Sequence, residues 1–239
     1  MLFRSEESFA ARTESEGRLR RFVADASHEL RTPLTAIRGF AELHRQGAVS
    51  GEEQTKELVA RIERESMRMS TLVEDLLMLA RMDQGPKMEI KPVNISELVS
   101  DAVESARAAA PGHPIKLTSG NDIYALGDAN RIHQVVANLL ANARVHTPVG
   151  TNINVSVNQS ESEVQVVVSD NGPGLSEKDR EKIFERFYRV DPSRTRTSEE
   201  GSGLGLSIVD AVMRAHGGHV SVDSKLGEGA TFTLHFPLN

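Results

Sequence analysis

Apolar residues keep helical spacing from Leu19 to Leu79 and then abandon it, and this switch restricts the fold more than any other feature. The first stripe is Leu19, Phe22, Ala26, Leu30, Leu34, Ile37 and Phe40; the second is Leu58, Ile62, Met69, Leu72, Leu76 and Leu79, with a polar break near Glu65. Steps of three and four put each set on one face of a helix. Between them, Gln46-Gly47-Ala48-Val49-Ser50-Gly51 supplies glycines that end one helix and a serine that can cap the next. Two helices joined by so short a turn form an antiparallel hairpin. A hairpin alone buries its seam poorly, so two copies are expected to pair as a four-helix bundle, giving a homodimer.

At Gln84-Gly85-Pro86 the pattern breaks, marking a domain boundary. Beyond it, 94–110 and 128–146 read as helices, 115–117 and 123–126 as short strands, and 155–159, 164–169, 219–223 and 230–236 alternate as strands of hairpins. A further helix covers 204–216. The expected class is α+β: an N-terminal antiparallel helical hairpin followed by an α/β sandwich with a mostly antiparallel sheet. The parts are a helical lead-in at 1–18, the hairpin at 19–83, a linker at 84–93 and the sandwich at 94–239.

The composition, 239 residues with 38% hydrophobic and 26% charged, is that of a chain able to bury a core in two domains. A net charge of −6 argues against a nucleic-acid surface, which needs a basic face. With no Cys there are no disulfides and no thiolate chemistry, which fits a reducing compartment. No run approaches the roughly 18 apolar residues that span a bilayer. The expectation is a cytoplasmic piece, linked to a membrane only through an N-terminal region that a longer parent would carry.

His28 lies outside the first stripe. At about 100° per residue it sits roughly 200° from Ala26 and Leu30, facing solvent, with Glu29 beside it and Thr32 one turn on. An imidazole held there is placed to be a nucleophile or a ligand, or is an ordinary solvated side chain. Pro33 lacks the N–H that would bond the Glu29 carbonyl, so the helix is expected to weaken or bend just past His28.

In the second half, Ile132, Val135, Val136, Leu139, Leu140 and Ala143 form the buried face of one helix, and Arg131, Gln134, Asn138 and Asn142 a polar stripe opposite. Two Asn at i and i+4 offer neutral carbonyls suited to Mg²⁺ and phosphate, where plain solvation would favour Lys and Glu. Asp170-Asn171-Gly172-Pro173-Gly174 follows a strand, with glycines that permit close approach and a carboxylate able to accept from an exocyclic amine. Gly201-Ser202-Gly203-Leu204-Gly205 opens a helix whose N–H groups favour an anion, and it lacks the Lys-Ser/Thr end of a Walker loop. Phe184-Glu185-Arg186-Phe187-Tyr188-Arg189 combines rings, expected to pack, with guanidinium groups able to reach phosphates, ahead of a polar segment expected to act as a lid.

These motifs, in this order, resemble the boxes of a sensor histidine kinase of two-component signalling, over residue 16 to the end. Ser27 to Pro33 resembles the phospho-acceptor box, Asn138 to Ala143 the N box, Asp170 to Gly174 and Gly201 to Gly205 the two glycine boxes, and Phe184 to Phe187 the F box. The resemblance implies that 19–83 is a dimerisation and phosphotransfer domain and 94–239 a Bergerat-type ATP-binding domain. It implies ATP and Mg²⁺ as cofactors, and a response-regulator receiver domain as partner. His28 would be the phosphorylated nucleophile, Glu29 its orienting base, and Thr32 an aid to dephosphorylating the regulator. Asn138 would ligate Mg²⁺, and Asp170 would bind the adenine amine. Asn142, His146, Gly172, Gly174, Leu175, Arg189, Gly201, Gly203, Leu204 and Gly205 would complete the ATP site. One position departs from the pattern: the family often has Lys where this chain has Val145. Arg144 points about 100° away, so Arg189, Arg194 or Arg196 would supply the charge. A Bergerat-type ATPase without a phosphoprotein intermediate, and a scaffold with a degenerate ATP site, are the rival readings.

Overall fold

The computed structural model describes residues 2–83, 85, 88–109, 111–120, 122–190 and 201–238; of the side chains before residue 22, it describes those of residues 17 and 20. The chain divides into two compact units, Met1–Leu76 and Leu77–Asn239. In the first, α1 (Leu2–Arg45) and the start of α2 (Glu52–Asp83) flank the turn at Gly47 and Gly51, both with positive φ. The lead-in is therefore continuous with the first helix. Ser50 is held from its other side: its N–H donates to Gln54 Oε1 at 3.3 Å.

Along the expected stripes, Ala26, Leu58 and Leu72 are buried and Phe22, Leu30, Ile37, Phe40, Ile62 and Met69 half-buried, whereas Leu34 is exposed and Pro33 is buried in its place. Leu19 lies outside the described side chains. α1 runs on past Pro33 to Arg45. The hydroxyls of Thr32 and Thr35 donate back to the carbonyls of His28 and Arg31, at 3.3 and 2.8 Å. A second apolar set stays open: Val23 and Leu34 fall within about 20° around α1, and Val59 and Val73 within about 40° around α2.

The second unit is built from β1 (Lys91–Asn94), α3 (Ile95–Ala109), β2 (Ile115–Ser119), β3 (Tyr124–Gly127), α4 (Ala129–Val145), β4 (Ile153–Gln159), β5 (Glu163–Asp170), α5 (Glu177–Lys182), α6 (Gly205–Ala215), β6 (His219–Lys225) and β7 (Gly229–Pro237). Five strands form one sheet in the order β2-β4-β5-β7-β6. β2 and β4 are parallel and the other pairs antiparallel, with Val166 opposite Val157 and Leu234. β1 and β3 make a separate antiparallel pair.

Alternation sends Val155, Val157, Val164, Val166, Val168, Phe232, Leu234 and Phe236 to one face, where α3, α4 and α6 supply the rest of the core. All six residues expected on the inner face of α4 are buried. Its N-cap is Asp128, whose carboxylate accepts from the Asn130 and Arg131 N–H groups, and its C-cap is His146. α4 packs between α3 and α6, so the polar edge of α4 and the N-terminus of α6 share one end of the helical layer.

Candidate functional site

Asp170 ends β5, where the sheet alternation leaves its side chain half-buried. Its Oδ1 accepts from the Gly172 N–H at 2.8 Å, and the Ala230 N–H of the neighbouring strand also bonds the carboxylate. Burial nevertheless dominates and raises its pKa above the ordinary carboxylate value. The loop that follows is pressed against backbone. A Cβ on Gly174, at φ +68°, would run into the Lys225 carbonyl, and the Gly227 N–H donates to the Pro173 carbonyl at 2.7 Å. A Cβ on Gly172 would lie 2.5 Å from the Thr147 methyl. The Leu175 N–H is held by Ser224 Oγ at 2.9 Å.

Across from this loop, Asn138 Nδ2 donates to the Gly205 carbonyl at 3.3 Å, tying α4 to the first residue of α6. Its amide oxygen is thereby left to accept or ligate. Asn142 and Val145 follow on the same edge of α4, both half-buried, and His146 is exposed at its end. Gly203 is at φ +72°, and a Cβ there would sit 3.0 Å from Phe187 Cα. Phe187 is itself at φ +61°, its N–H donating to the Gly203 carbonyl at 3.0 Å. Holding a bulky residue in that region costs about 1–2 kcal/mol, so the join between the two segments is imposed by their surroundings. Leu204 is fully buried, whereas Gly201 is exposed.

The aromatic segment is structural, as expected: Phe184 meets Phe232 edge-on at 6.4 Å, and the Tyr188 hydroxyl donates to Asp179 at 2.8 Å. Arg186 pairs with Asp83 at 2.7 Å, and Arg189 is half-buried. Arg194 and Arg196, with most of the expected lid, lie outside the described residues.

In the first unit, His28 and Thr32 are exposed and Glu29 half-exposed, on consecutive turns of α1. Thr147, Ser224, Ala230 and His216 support the site and were not read from the sequence. Only the His-Gly-Gly run after α6 hinted at one of them, as a helix end.

The donor set suits a purine nucleotide: a carboxylate at a strand end, loops whose glycines let them pack directly on neighbouring protein atoms, and neutral amide oxygens beside a helix N-terminus. This pocket type, on a sheet covered by helices and preceded by a helical hairpin with an outward histidine, defines a class. Residues 127–239 match the family described as histidine kinase-, DNA gyrase B- and HSP90-like ATPase, and residues 18–85 the His Kinase A (phospho-acceptor) domain. The Mycobacterium tuberculosis protein named "Probable sensor histidine kinase TcrY" is 46% identical over 97% of this chain and 48% of its own length. A crystal structure of histidine kinase ThkA in complex with response regulator TrrA aligns with TM-score 0.74 at 26% identity, covering 95% of this chain and 64% of that one. Full-length ShkA in complex with AMPPNP aligns with TM-score 0.67 at 29% identity, covering 91% and 45%.

The chain belongs to the sensor histidine kinases of two-component signalling. It spans about half the length of the curated relatives it matches. No helix of the described residues is long and apolar enough to cross a membrane.

Val145 stands at the end of α4, half-buried, on the same edge as Asn138 and Asn142. If Asn138 and Asn142 face the phosphates, Val145→Lys is expected to tighten ATP binding about fivefold, roughly 1 kcal/mol, by adding one largely exposed cation beside them. Calorimetric titration with ATP and Mg²⁺ checks this; unchanged affinity would mean another side chain already supplies the charge.

Proposed function

We propose that this chain transfers the γ-phosphoryl group of ATP to His28 and then to an aspartate of a response-regulator receiver domain, as a homodimer. The observation that carries this reading is the presence in one chain of an outward His28-Glu29 pair and a half-buried Asp170 carboxylate at a strand end, followed by a glycine loop pressed against backbone.

Asp170 would accept from the adenine amine, and the partial withdrawal of its half-buried carboxylate from water strengthens that bond. Gly172, Gly174 and Gly203, where a Cβ would strike Thr147, the Lys225 carbonyl and Phe187, would shape the loops around the nucleotide, with Leu175 beside it and the fully buried Leu204 supporting the second loop from behind. The segment from Gly201 to Gly205 that leads into the N-terminus of α6 would face the phosphates, joined by Asn142, His146 and Arg189. Asn138 would hold Mg²⁺ through its amide oxygen, with Nδ2 already engaged by Gly205. Bound there, the cation would neutralise charge on the phosphate oxygens.

The neutral His28 imidazole attacks the γ-phosphorus with one nitrogen lone pair, a P–N bond forms, and the bond to the β,γ-bridging oxygen breaks to release ADP. Glu29 holds the other nitrogen's N–H and takes its proton. In the second step the receiver carboxylate attacks the same phosphorus, the P–N bond breaks, and the Glu29 carboxyl returns its proton to the other ring nitrogen so that His28 leaves as neutral imidazole. The Thr32 hydroxyl, donating to the His28 carbonyl at a long 3.3 Å, is available to orient water for dephosphorylation of the regulator.

Incubation with γ-labelled ATP tests the reading. Acid-labile, base-stable label on the protein that chases to a receiver domain is expected; phosphate release without a labelled protein would favour the ATPase alternative.

The homodimer is supported by the open apolar set on α1 and α2. Val59→Glu puts a charge into that seam and is expected to weaken the dimer at least roughly hundredfold, since an unpaired carboxylate cannot be buried cheaply. Sedimentation equilibrium reads the shift, and a dimer of unchanged affinity would place the seam elsewhere.

A further inference from the structure

Outside the groups assigned above, one side chain joins the two helices that frame the pocket. His216, the C-cap of α6, accepts through Nε2 from the backbone N–H of Asp128 at 3.0 Å, while its Nδ1 lies 2.8 Å from the Val212 carbonyl. Asp128 is the N-cap of α4, the helix that carries Asn138 and Asn142. The ring is half-buried, edge-on to Phe236 of β7 at 6.3 Å, and a Cβ on Gly127 would lie 2.9 Å from its Cδ2. A carbonyl can only accept and an N–H can only donate, so both contacts are satisfied by one species alone: the neutral imidazole with its proton on Nδ1.

We propose that His216 is a positioning residue of the nucleotide site, a neutral strut that sets α6 against the N-cap of α4, and that its protonation releases this tie and weakens nucleotide binding. The inference rests on the ATP-site reading above.

α4 and α6 pack together and carry residues of the proposed site, and Asn138, midway along α4, bonds Gly205 at the first residue of α6. α6 is thus tied to α4 at both its ends, by His216 at its C-cap and by Asn138 at its first residue. An imidazolium would turn Nε2–H toward the Asp128 N–H, two donors facing each other, and the contact would open. Among the described residues, the charged group acting on the ring from α4 is the Asp128 carboxylate, which favours protonation; Phe236 from β7 and Ile132 from α4 are uncharged. The Asp128 carboxylate is already engaged by N–H groups of Asn130, Arg131 and Glu89, and on α6 Arg214 pairs with Asp210. Burial outweighs these and holds the imidazole pKa below its ordinary value of 6.5. The strut is therefore intact above that value. As pH falls below it, the unfolded chain binds the proton first, and the native tie loses its advantage.

Two measurements on the whole chain test the proposal. The first is the imidazole nitrogen spectrum of the nucleotide-free protein at pH 7.5, where His216 is expected as the Nδ1–H tautomer; the Nε2–H tautomer would overturn the proposal. The second compares the affinity for ATP with Mg²⁺ at pH 7.5 and 5.5 in wild type and His216→Gln. Phosphate protonation is common to both proteins, so the difference in slope isolates the residue. Wild type is expected to lose about fivefold more affinity than the variant over this interval, well under the ceiling for one proton of roughly tenfold per pH unit, because a group held below its ordinary value takes up the proton over only part of the interval. In steady-state assays the acid effect should fall on KM for ATP rather than on kcat. Equal slopes would overturn the proposal.

Should His216→Gln fail to fold, the wild-type spectrum decides: the Nε2 resonance and the Asn138 side-chain amide must titrate together, and independent titration sinks the strut. Absence of ATP binding by wild type at pH 7.5 would instead count against the kinase reading. The tautomer and the joint titration would still judge the strut.

Discussion

His28→Gln is expected to abolish acid-labile labelling from γ-labelled ATP while ATP binding stays within about twofold of wild type. The expected loss exceeds roughly a thousandfold, because the substitution removes the nucleophile itself and not a group that assists it. Gln retains polarity and helix propensity, so α1 should keep its structure at this exposed position. Circular dichroism and calorimetric titration with ATP and Mg²⁺ check that fold and pocket survive. Residual labelling at the wild-type rate would move the phosphorylation site to another of the eight His residues in the chain.

Asp170→Asn separates binding from stability. A carboxylate accepting from the adenine amine makes a charge-assisted bond of about 3 kcal/mol, so its loss should weaken ATP roughly a hundredfold. The apo protein should not be destabilised in step. Burial raises the Asp170 pKa in the fold, so keeping it ionised at neutral pH costs stability, a cost that disappears as pH falls through the raised value. Asn carries no such charge and keeps an oxygen for the Gly172 N–H. A melting temperature equal to or above wild type, with binding lost, is the expected pair of results at pH 7.5. A lowered melting temperature with ATP affinity retained would make Asp170 a structural cap and place the purine elsewhere.

Much of the architecture was legible wherever a segment buries one face of its own. The helix expected at 128–146 is α4 with its two caps, and its six inward residues were readable because a 3.6-residue period over seventeen residues is unambiguous. Strands β4 to β7 were likewise readable from alternation, to within two residues at each end. β1 and α5 were not. β1 is four residues long, contains Pro92, and pairs with β3 some thirty residues later. α5 has no buried residue and hence no apolar period, and it is started by the Ser176 cap. Leu34 was read as part of a buried stripe and Pro33 was not, because a single chain's pattern does not say which of two apolar faces its own partner helix covers.

By itself the sequence determined the division into helical hairpin and sandwich, the outward position of His28 and the candidate loops at Asp170 and Gly201. Those properties follow from period, turn chemistry and residue type, all local quantities. Tertiary structure decided the parallel pairing of β2 with β4, the contact of Asn138 with Gly205, the insertion of the Lys225 carbonyl over Gly174, and the strut from His216 to Asp128. Each joins residues dozens of positions apart through a hydrogen bond or a steric limit of a few ångströms. A one-dimensional pattern carries no record of such distances until the core has closed.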